Sequence, residues 1–166
     1  GTINGAYALE ITSTNKAFTQ TGIVGGTTPP VSYTINAGTG LVTKGAAATV
    51  AGPITLDGGQ LSLSSTTSST LANAAITARS KTYIKNASAT SFTTQGGDVL
   101  LASNIDDATD NDTTTNGYIQ FSSGLTITTN GGNITLGGGD ATASGYALGT
   151  SAYPFEGIRA DGTINL

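Results

Sequence analysis

Gly131-Gly132-Asn133-Ile134-Thr135-Leu136 joins a turn to an alternating apolar pair. Gly96-Gly97-Asp98-Val99-Leu100-Leu101, Ala51-Gly52-Pro53-Ile54-Thr55-Leu56 and Asp161-Gly162-Thr163-Ile164-Asn165-Leu166 repeat it, and Gly58-Gly59-Gln60-Leu61-Ser62-Leu63 is a looser copy. A small residue or a glycine supplies the corner, and period two in the apolar residues gives a strand with one buried face. A turn-plus-strand unit that recurs along a chain predicts stacked repeats, in which each unit buries its apolar side against the next.

Working outward from that stretch, the same alternation runs through most of the chain. Tyr7, Leu9 and Ile11 alternate with Ala8, Glu10 and Thr12, and Tyr33 and Ile35 with Thr34 and Asn36. Leu61 and Leu63, Tyr83 with Ile84, Phe92, Ile119 and Phe121, and Leu125 and Ile127 mark further strands. The opposite faces carry Thr, Ser and Asn, which tolerate water and pair across strands. Asn4-Gly5, Gly25-Gly26, Asp57-Gly58, Asn116-Gly117, Asn130-Gly131 and Asp161-Gly162 supply corners between them. Such pairs serve hairpins equally well, so turn chemistry alone leaves an antiparallel meander open. The recurrence favours stacking: Ile134 lies 35 residues after Val99 and Ile164 lies 30 after Ile134. The prediction is an all-β, parallel β-solenoid of roughly seven to eight rungs at about 20 residues each, with no internal domain boundary over residues 1–166. Residues 104–116 read as a polar, acidic loop excursion from the stack. Within Ser69–Arg79 the spacing of Leu71, Ala74, Ala75 and Ala78 also suits a short helix, while β-branched Ile76 and Thr77 suit a strand.

Composition narrows the function. Charged residues are 10% and the net charge is −4, with Thr, Val and Ile abundant, a balance that suits many short strands and not a disordered chain. The chain has no Cys, His, Met or Trp, which removes thiol chemistry, His-based triads and the usual transition-metal ligands. An isoelectric point near 4.3 and only six basic residues argue against nucleic acid as a partner. No apolar run reaches the about 18 residues of a membrane span, so no membrane insertion is expected. Asn-x-Ser/Thr at Asn86, Asn111 and Asn133 carries no functional reading here.

Gly25-Gly26-Thr27-Thr28-Pro29-Pro30-Val31-Ser32-Tyr33-Thr34-Ile35 resembles a GGTTP element of very large bacterial surface proteins. The run Gly131 to Gly139, followed by Asp140 to Gly149, is similar to the filamentous-haemagglutinin-like adhesins. The resemblance covers most of the chain, least well Ser65–Ser80. It implies a right-handed parallel β-helix, secreted to the bacterial cell surface as part of an adhesin or fibre that is often far longer than this chain. The family's N-terminal secretion domain is not seen in these residues. Both ends of the sequence fall within a strand pattern, which reads as a segment of a longer chain or as ends covered by neighbouring subunits.

Asp106, Asp107, Asp110 and Asp112 form the densest cluster of functional groups, with Asn104, Asn111 and Asn116 beside them. Carboxylates and amide oxygens at short spacing are hard-ligand chemistry and make these four Asp a candidate Ca²⁺ site. The cluster matches neither an EF-hand loop nor the glycine-rich nonapeptide Ca²⁺ repeat, so a solvated acidic loop is the competing reading. No catalytic residues and no other cofactor are assigned. Asp residues on one loop cannot face each other across a substrate, and Glu10, Asp57, Asp140, Glu156 and Asp161 stand singly. Arg159 beside Asp161 is a thin basis for a lyase. Tyr7, Tyr33, Tyr83, Tyr118, Tyr146 and Tyr153 read either as a sugar-stacking platform or as half-buried strand residues. Tyr153-Pro154-Phe155 reads as a plug over one edge of the core. The function expected is extracellular scaffolding or adhesion, through neighbouring repeats or identical subunits stacked end to end, with cell-surface glycans or proteins as further partners. The alternatives are a pilus-like subunit joined head-to-tail by strand addition, and a carbohydrate-binding β-helix.

Overall fold

The computed structural model describes residues 1–105, 117–138 and 157–166, and every regular element among them is a β-strand. The strands fall into three columns. The first is a seven-stranded sheet: β1 (Thr2–Ile3), β4 (Ile23–Val24), β7 (Ala48–Val50), β9 (Thr66–Ala72), β11 (Thr90–Gln95), β14 (Leu125–Thr128) and β17 (Ile164–Asn165), paired in that order. The second column holds β2 (Ala8–Thr12), β5 (Ser32–Asn36), the first half of β8 (Ile54–Leu63), the first half of β10 (Ile76–Asn86), β12 (Val99–Ser103) and β15 (Ile134–Gly138). The third holds β3 (Phe18–Gln20), β6 (Leu41–Lys44), the second halves of β8 and β10, β13 (Tyr118–Phe121) and β16 (Ile158–Ala160). Because β8 and β10 run through both, the second and third columns form one ten-stranded sheet. Every pairing is parallel. The antiparallel meander that the turn chemistry left open is therefore absent from the described residues.

Register explains why the alternation was so persistent. Leu9, Tyr33, Ile54, Ile76, Val99 and Ile134 align across the second column, and Ile11, Ile35, Leu56, Ala78, Leu101 and Leu136 lie two residues further on. Phe18, Val42, Leu61, Ile84, Ile119 and Ile158 make the matching row of the third column. Apart from Ile158, which is exposed, these side chains form one apolar cluster with Val24, Ala48, Phe92 and Ile127 from the first column. Tyr33, Ile35, Val42, Leu56, Leu61, Ile84 and Phe92 are fully buried. Each buried aliphatic or aromatic side chain stabilises the folded state by about 1.5–3 kcal/mol relative to exposure. A one-residue slip would turn a whole row outward, so the rows also fix the register.

The corners carry the second regularity. Between the first and second columns, Asn73, Gly96 and Gly131 adopt positive φ of 60°, 84° and 114°. The residue after each packs backbone on backbone: a Cβ on Gly97 would lie 2.0 Å from the Ala74 carbonyl oxygen, and one on Gly132 2.2 Å from that of Gly97. The first glycine of the pair is there for its conformation, and the second for the close approach of the adjacent layer. Amides continue the ladder through this corner, from Ile54 to the Ala75 carbonyl, Ile76 to Asp98 and Val99 to Asn133.

Two expectations change in detail. Val99 and Ile134 are direct neighbours, as a single repeat with an insertion requires. Ile164, however, pairs next to Leu125 in the first column, so its distance from Ile134 is not a repeat length. Gly58-Gly59 lies inside β8 at the corner between the second and third columns, and Asp161-Gly162 lies between the third and the first. The recurring motif thus marks corners of all three kinds. The helical reading of Ser69–Arg79 is replaced by β9 and β10, joined at Asn73–Ala75. Ile76 and Ala78 point inward at period two, and Asn73 in the left-handed conformation breaks any helix there.

Candidate functional site

Asp106, Asp107, Asp110 and Asp112 lie outside the described residues, as do Tyr146 and the Tyr153-Pro154-Phe155 plug. Of the excursion at 104–116, only Asn104 and Ile105 are described. Among the described residues no group of three or more His, Cys, Asp or Glu is arranged to hold a metal ion. Among the described residues, functional groups are gathered on the outward strand faces and at one polar site between the columns.

On the third column, Leu41, Gln60, Tyr83 and Tyr118 form one outward row, and Thr19, Thr43, Ser62, Lys85, Gln120 and Arg159 the next. The Tyr83 and Tyr118 rings stack at 5.4 Å between centroids with 26° between their planes. The Tyr83 hydroxyl donates to Gln60 Oε1 at 2.8 Å, and the Lys85 ammonium sits 4.7 Å from the Tyr83 ring centroid. Partial burial pushes the Tyr118 hydroxyl pKa up, against an opposing pull from Lys85. At the edge of this face Arg159 Nε donates to Asp161 Oδ1 at 2.7 Å and Gln120 Nε2 to Asp161 Oδ2 at 3.1 Å. Those two bonds, Arg159 first, hold the Asp161 carboxyl below the ordinary carboxylate range. Six tyrosines offered a sugar platform in the sequence; of the four that are described, Tyr83 and Tyr118 stack and spend part of their ring surface on each other. Tyr33 is fully buried in the core, and Tyr7 donates its hydroxyl to the Asn4 carbonyl.

The first column presents hydroxyls. Thr66, Ser91 and Thr126 align in one outward row, and Thr49, Ser68, Thr93 and Thr128 in the other. On the second column, Thr34, Thr55 and Thr77 align, and Asp57 stands next to Arg79, whose Nη2 reaches Asp57 Oδ2 at 2.7 Å.

Inside the stack, where the third column turns into the first, the inward row mixes polar with apolar side chains. Gln20, Lys44, Leu63, Asn86 and Phe121 align in it. The chain turns sharply here and leaves peptide carbonyls inside, which must be satisfied. Gln20 Nε2 donates to the carbonyls of Gly22, Ala46 and Ala47 at 3.0–3.2 Å. Lys44 Nζ donates to Ala46 O at 2.9 Å, Ser65 Oγ at 2.8 Å and Thr66 O at 2.9 Å. Asn86 Nδ2 donates to Ser123 O and Gly124 O, while its Oδ1 accepts from the Ser123 amide. The buried Tyr33 hydroxyl donates to Gln20 Oε1 at 3.1 Å, and burial pushes its pKa well up. Lys44 is 1% exposed, and desolvation pulls its pKa down to about 7.

Sequence reasoning passed over this row. The signal was present: Gln20 is in phase with Phe18, Lys44 with Val42 and Asn86 with Ile84, so period two alone turns all three inward.

Beside the first layer a cavity of about 320 Å³ opens onto the core, lined by Ile3, Ile11, Phe18, Val24 and Tyr33 among others.

Comparison with protein-family models, with curated proteins and with solved structures found no match.

Proposed function

We propose that this chain is a right-handed parallel β-helix of about seven turns and serves as a structural and adhesive segment of a fibre at the bacterial cell surface. One observation carries the reading: the chain visits the three columns in the same order, layer after layer, and each strand pairs in parallel with its counterpart in the next layer. That arrangement is extendable, because each layer needs only its two neighbours. Its outward faces are rows of Thr, Ser, Asn and Gln with few charges, a surface able to make many weak polar contacts along its length. The handedness and the surface location rest on the resemblance of Gly25–Ile35 and Gly131–Gly149 to filamentous-haemagglutinin-like adhesins.

Beads coated with the purified chain should adhere to cultured epithelial cells more than beads coated with a compositionally matched control protein. Adhesion equal to the control would leave scaffolding alone. Backbone contacts measured by NMR should connect the parallel register partners of successive layers, as between Val99 and Ile134; antiparallel contacts between those strands would remove the β-helix itself. A glycan array separates protein from sugar partners, with the Tyr83–Tyr118 face as the place where substitution should abolish any sugar signal.

A second reading, head-to-tail association of identical chains, is favoured by the apolar cavity beside β1 to β3 and by the half-buried Ile134, Leu136 and Ile164 at the opposite edge. Sedimentation across a wide concentration range decides it, since a species that stays monomeric throughout would exclude it.

A further inference from the structure

The interior corner built around Lys44 has no part in the surface function proposed above. Four lysines occur in the chain, and Lys44 lies in the core on an inward-facing row. Its Nζ has three oxygen partners within 2.9 Å, one for each N–H of an ammonium. All three are neutral. Two are main-chain carbonyls, of Ala46 and Thr66, and the third is the Ser65 hydroxyl, which itself donates to Ala46 O at 2.8 Å. Ala46 O also accepts from Gln20 Nε2, so one carbonyl gathers donors from two adjacent layers and from the start of the next. The groups packed around Lys44 are Gln20 of β3, Leu63 of β8, and Ser65 with Thr66 at the entry to β9. Tyr33 of β5 reaches this group through Gln20 and is the one titratable side chain among these described neighbours. No carboxylate is among them.

We propose that the Lys44 corner is a proton-operated switch in the fold. As an ammonium, Lys44 ties Ala46, Ser65 and Thr66 together across two layers. As an amine it keeps two N–H groups and releases one of the three acceptors. The ammonium form holds a buried charge with no counter-charge, which outweighs a single neutral hydrogen bond. The protonated corner is therefore better tied locally and less stable globally.

The sign follows from linkage. Burial lowers the Lys44 pKa from 10.5 to about 7. Between those values the unfolded chain binds one proton more than the folded chain, so stability rises with pH across that window. Below it both states are protonated and Lys44 contributes no slope. Tyr33 acts in the opposite sense, since its raised pKa makes the folded state hold its proton longer, but only from about pH 10 upward.

The test uses the intact chain labelled with ¹³C at lysine Cε. Lys44 is assigned as the resonance lost in Lys44→Gln. Its titration should have a midpoint near pH 7, well separated from that of an ordinary lysine. Urea denaturation from pH 7 to 9.5 should show a rising midpoint in the wild type, with the unfolding constant falling by up to about tenfold per pH unit. The Lys44→Gln chain should be flat over the same range relative to it. A Lys44 resonance titrating near about 10.4 would overturn the proposal. So would denaturation midpoints of the two chains that move in parallel. The titration is read on the wild type, with Lys44→Arg as the alternative assignment variant, so failure of Lys44→Gln to fold leaves the test intact.

Discussion

At the scale of the residue, the Gly-Gly corners separate two roles that the sequence presents as one dipeptide. Gly96 is needed for its positive φ, Gly97 for the space that a side chain would take from the Ala74 carbonyl. Gly97→Ala forces the two layers apart and should lower stability by about 1–3 kcal/mol, the usual range for overpacking. Asn73→Gly, which only exchanges one residue tolerant of the left-handed region for another, should stay within about 0.5 kcal/mol of wild type. Urea denaturation of the two variants measures the contrast, and equal effects would mean that backbone approach is not what selects glycine at 97. Asn86 makes the complementary case for a polar residue. Its amide satisfies the carbonyls of Ser123 and Gly124 and the amide of Ser123 in the interior. Asn86→Ala leaves those groups without their donor or acceptor, a loss of about 3 kcal/mol at the upper end of the range for buried unsatisfied groups. Asn86→Leu should do no better although it restores apolar volume, and a Leu variant as stable as wild type would reduce Asn86 to a filler.

At the scale of the element, strands were legible wherever apolar and polar residues alternate strictly, as in Tyr33–Asn36 and Leu125–Thr128. What escaped was any inward position filled by a polar residue. Gln20, Lys44 and Asn86 are coloured polar by composition and turned inward by phase, and a reading that sorts by polarity sends them to solvent. Column membership was also hidden, because corners of all three kinds use the same small residues. Hence Ile164 was measured against Ile134 when its neighbour is Leu125. The four Asp of the candidate Ca²⁺ site lie outside the described residues. Paired strands also show where charge works between elements. Arg79 of β10 and Asp57 of β8 are direct register partners at 2.7 Å, with side chains about a third and a fifth exposed. Partial exposure screens this pair, so a double-mutant cycle of Arg79→Leu and Asp57→Leu should give a coupling of about 0.5–1 kcal/mol. The coupling should shrink in about 1 M salt, where the screening length falls to about 3 Å. A salt-independent value would point to packing of the arginine stem as its source.

At the scale of the whole molecule, the layers of paired strands are unequal. β8 and β10 each run through the second and third columns as one strand, and their pairing, with a register shift between Ser80 and Tyr83, is the longest among the described residues. Ile54, Leu56, Leu61, Ile76 and Ile84 of these two strands have apolar neighbours in the layers on both sides and are at most 1% exposed. Leu9, Ile11 and Phe18 on one side of the stack, and Ile134, Leu136 and Ile164 on the other, are only partly buried. In an array held by nearest-neighbour contacts, a layer with one neighbour opens more easily than a layer with two. Native-state hydrogen exchange should therefore find the strongest protection in β8 and β10, falling stepwise through β5 and β12 toward β2 and β15. Ile84→Ala should cost about 2–5 kcal/mol, as large-to-small changes at fully buried sites do, and Ile134→Ala clearly less. The two variants should differ in reach as well as in size. Ile84→Ala lowers protection in the layers on both sides, whereas Ile134→Ala leaves β8 and β10 at wild-type exchange rates. Uniform protection from β2 to β15, with both variants lowering it everywhere alike, would mean that the molecule unfolds as one cooperative unit and that its layers are not separable in energy.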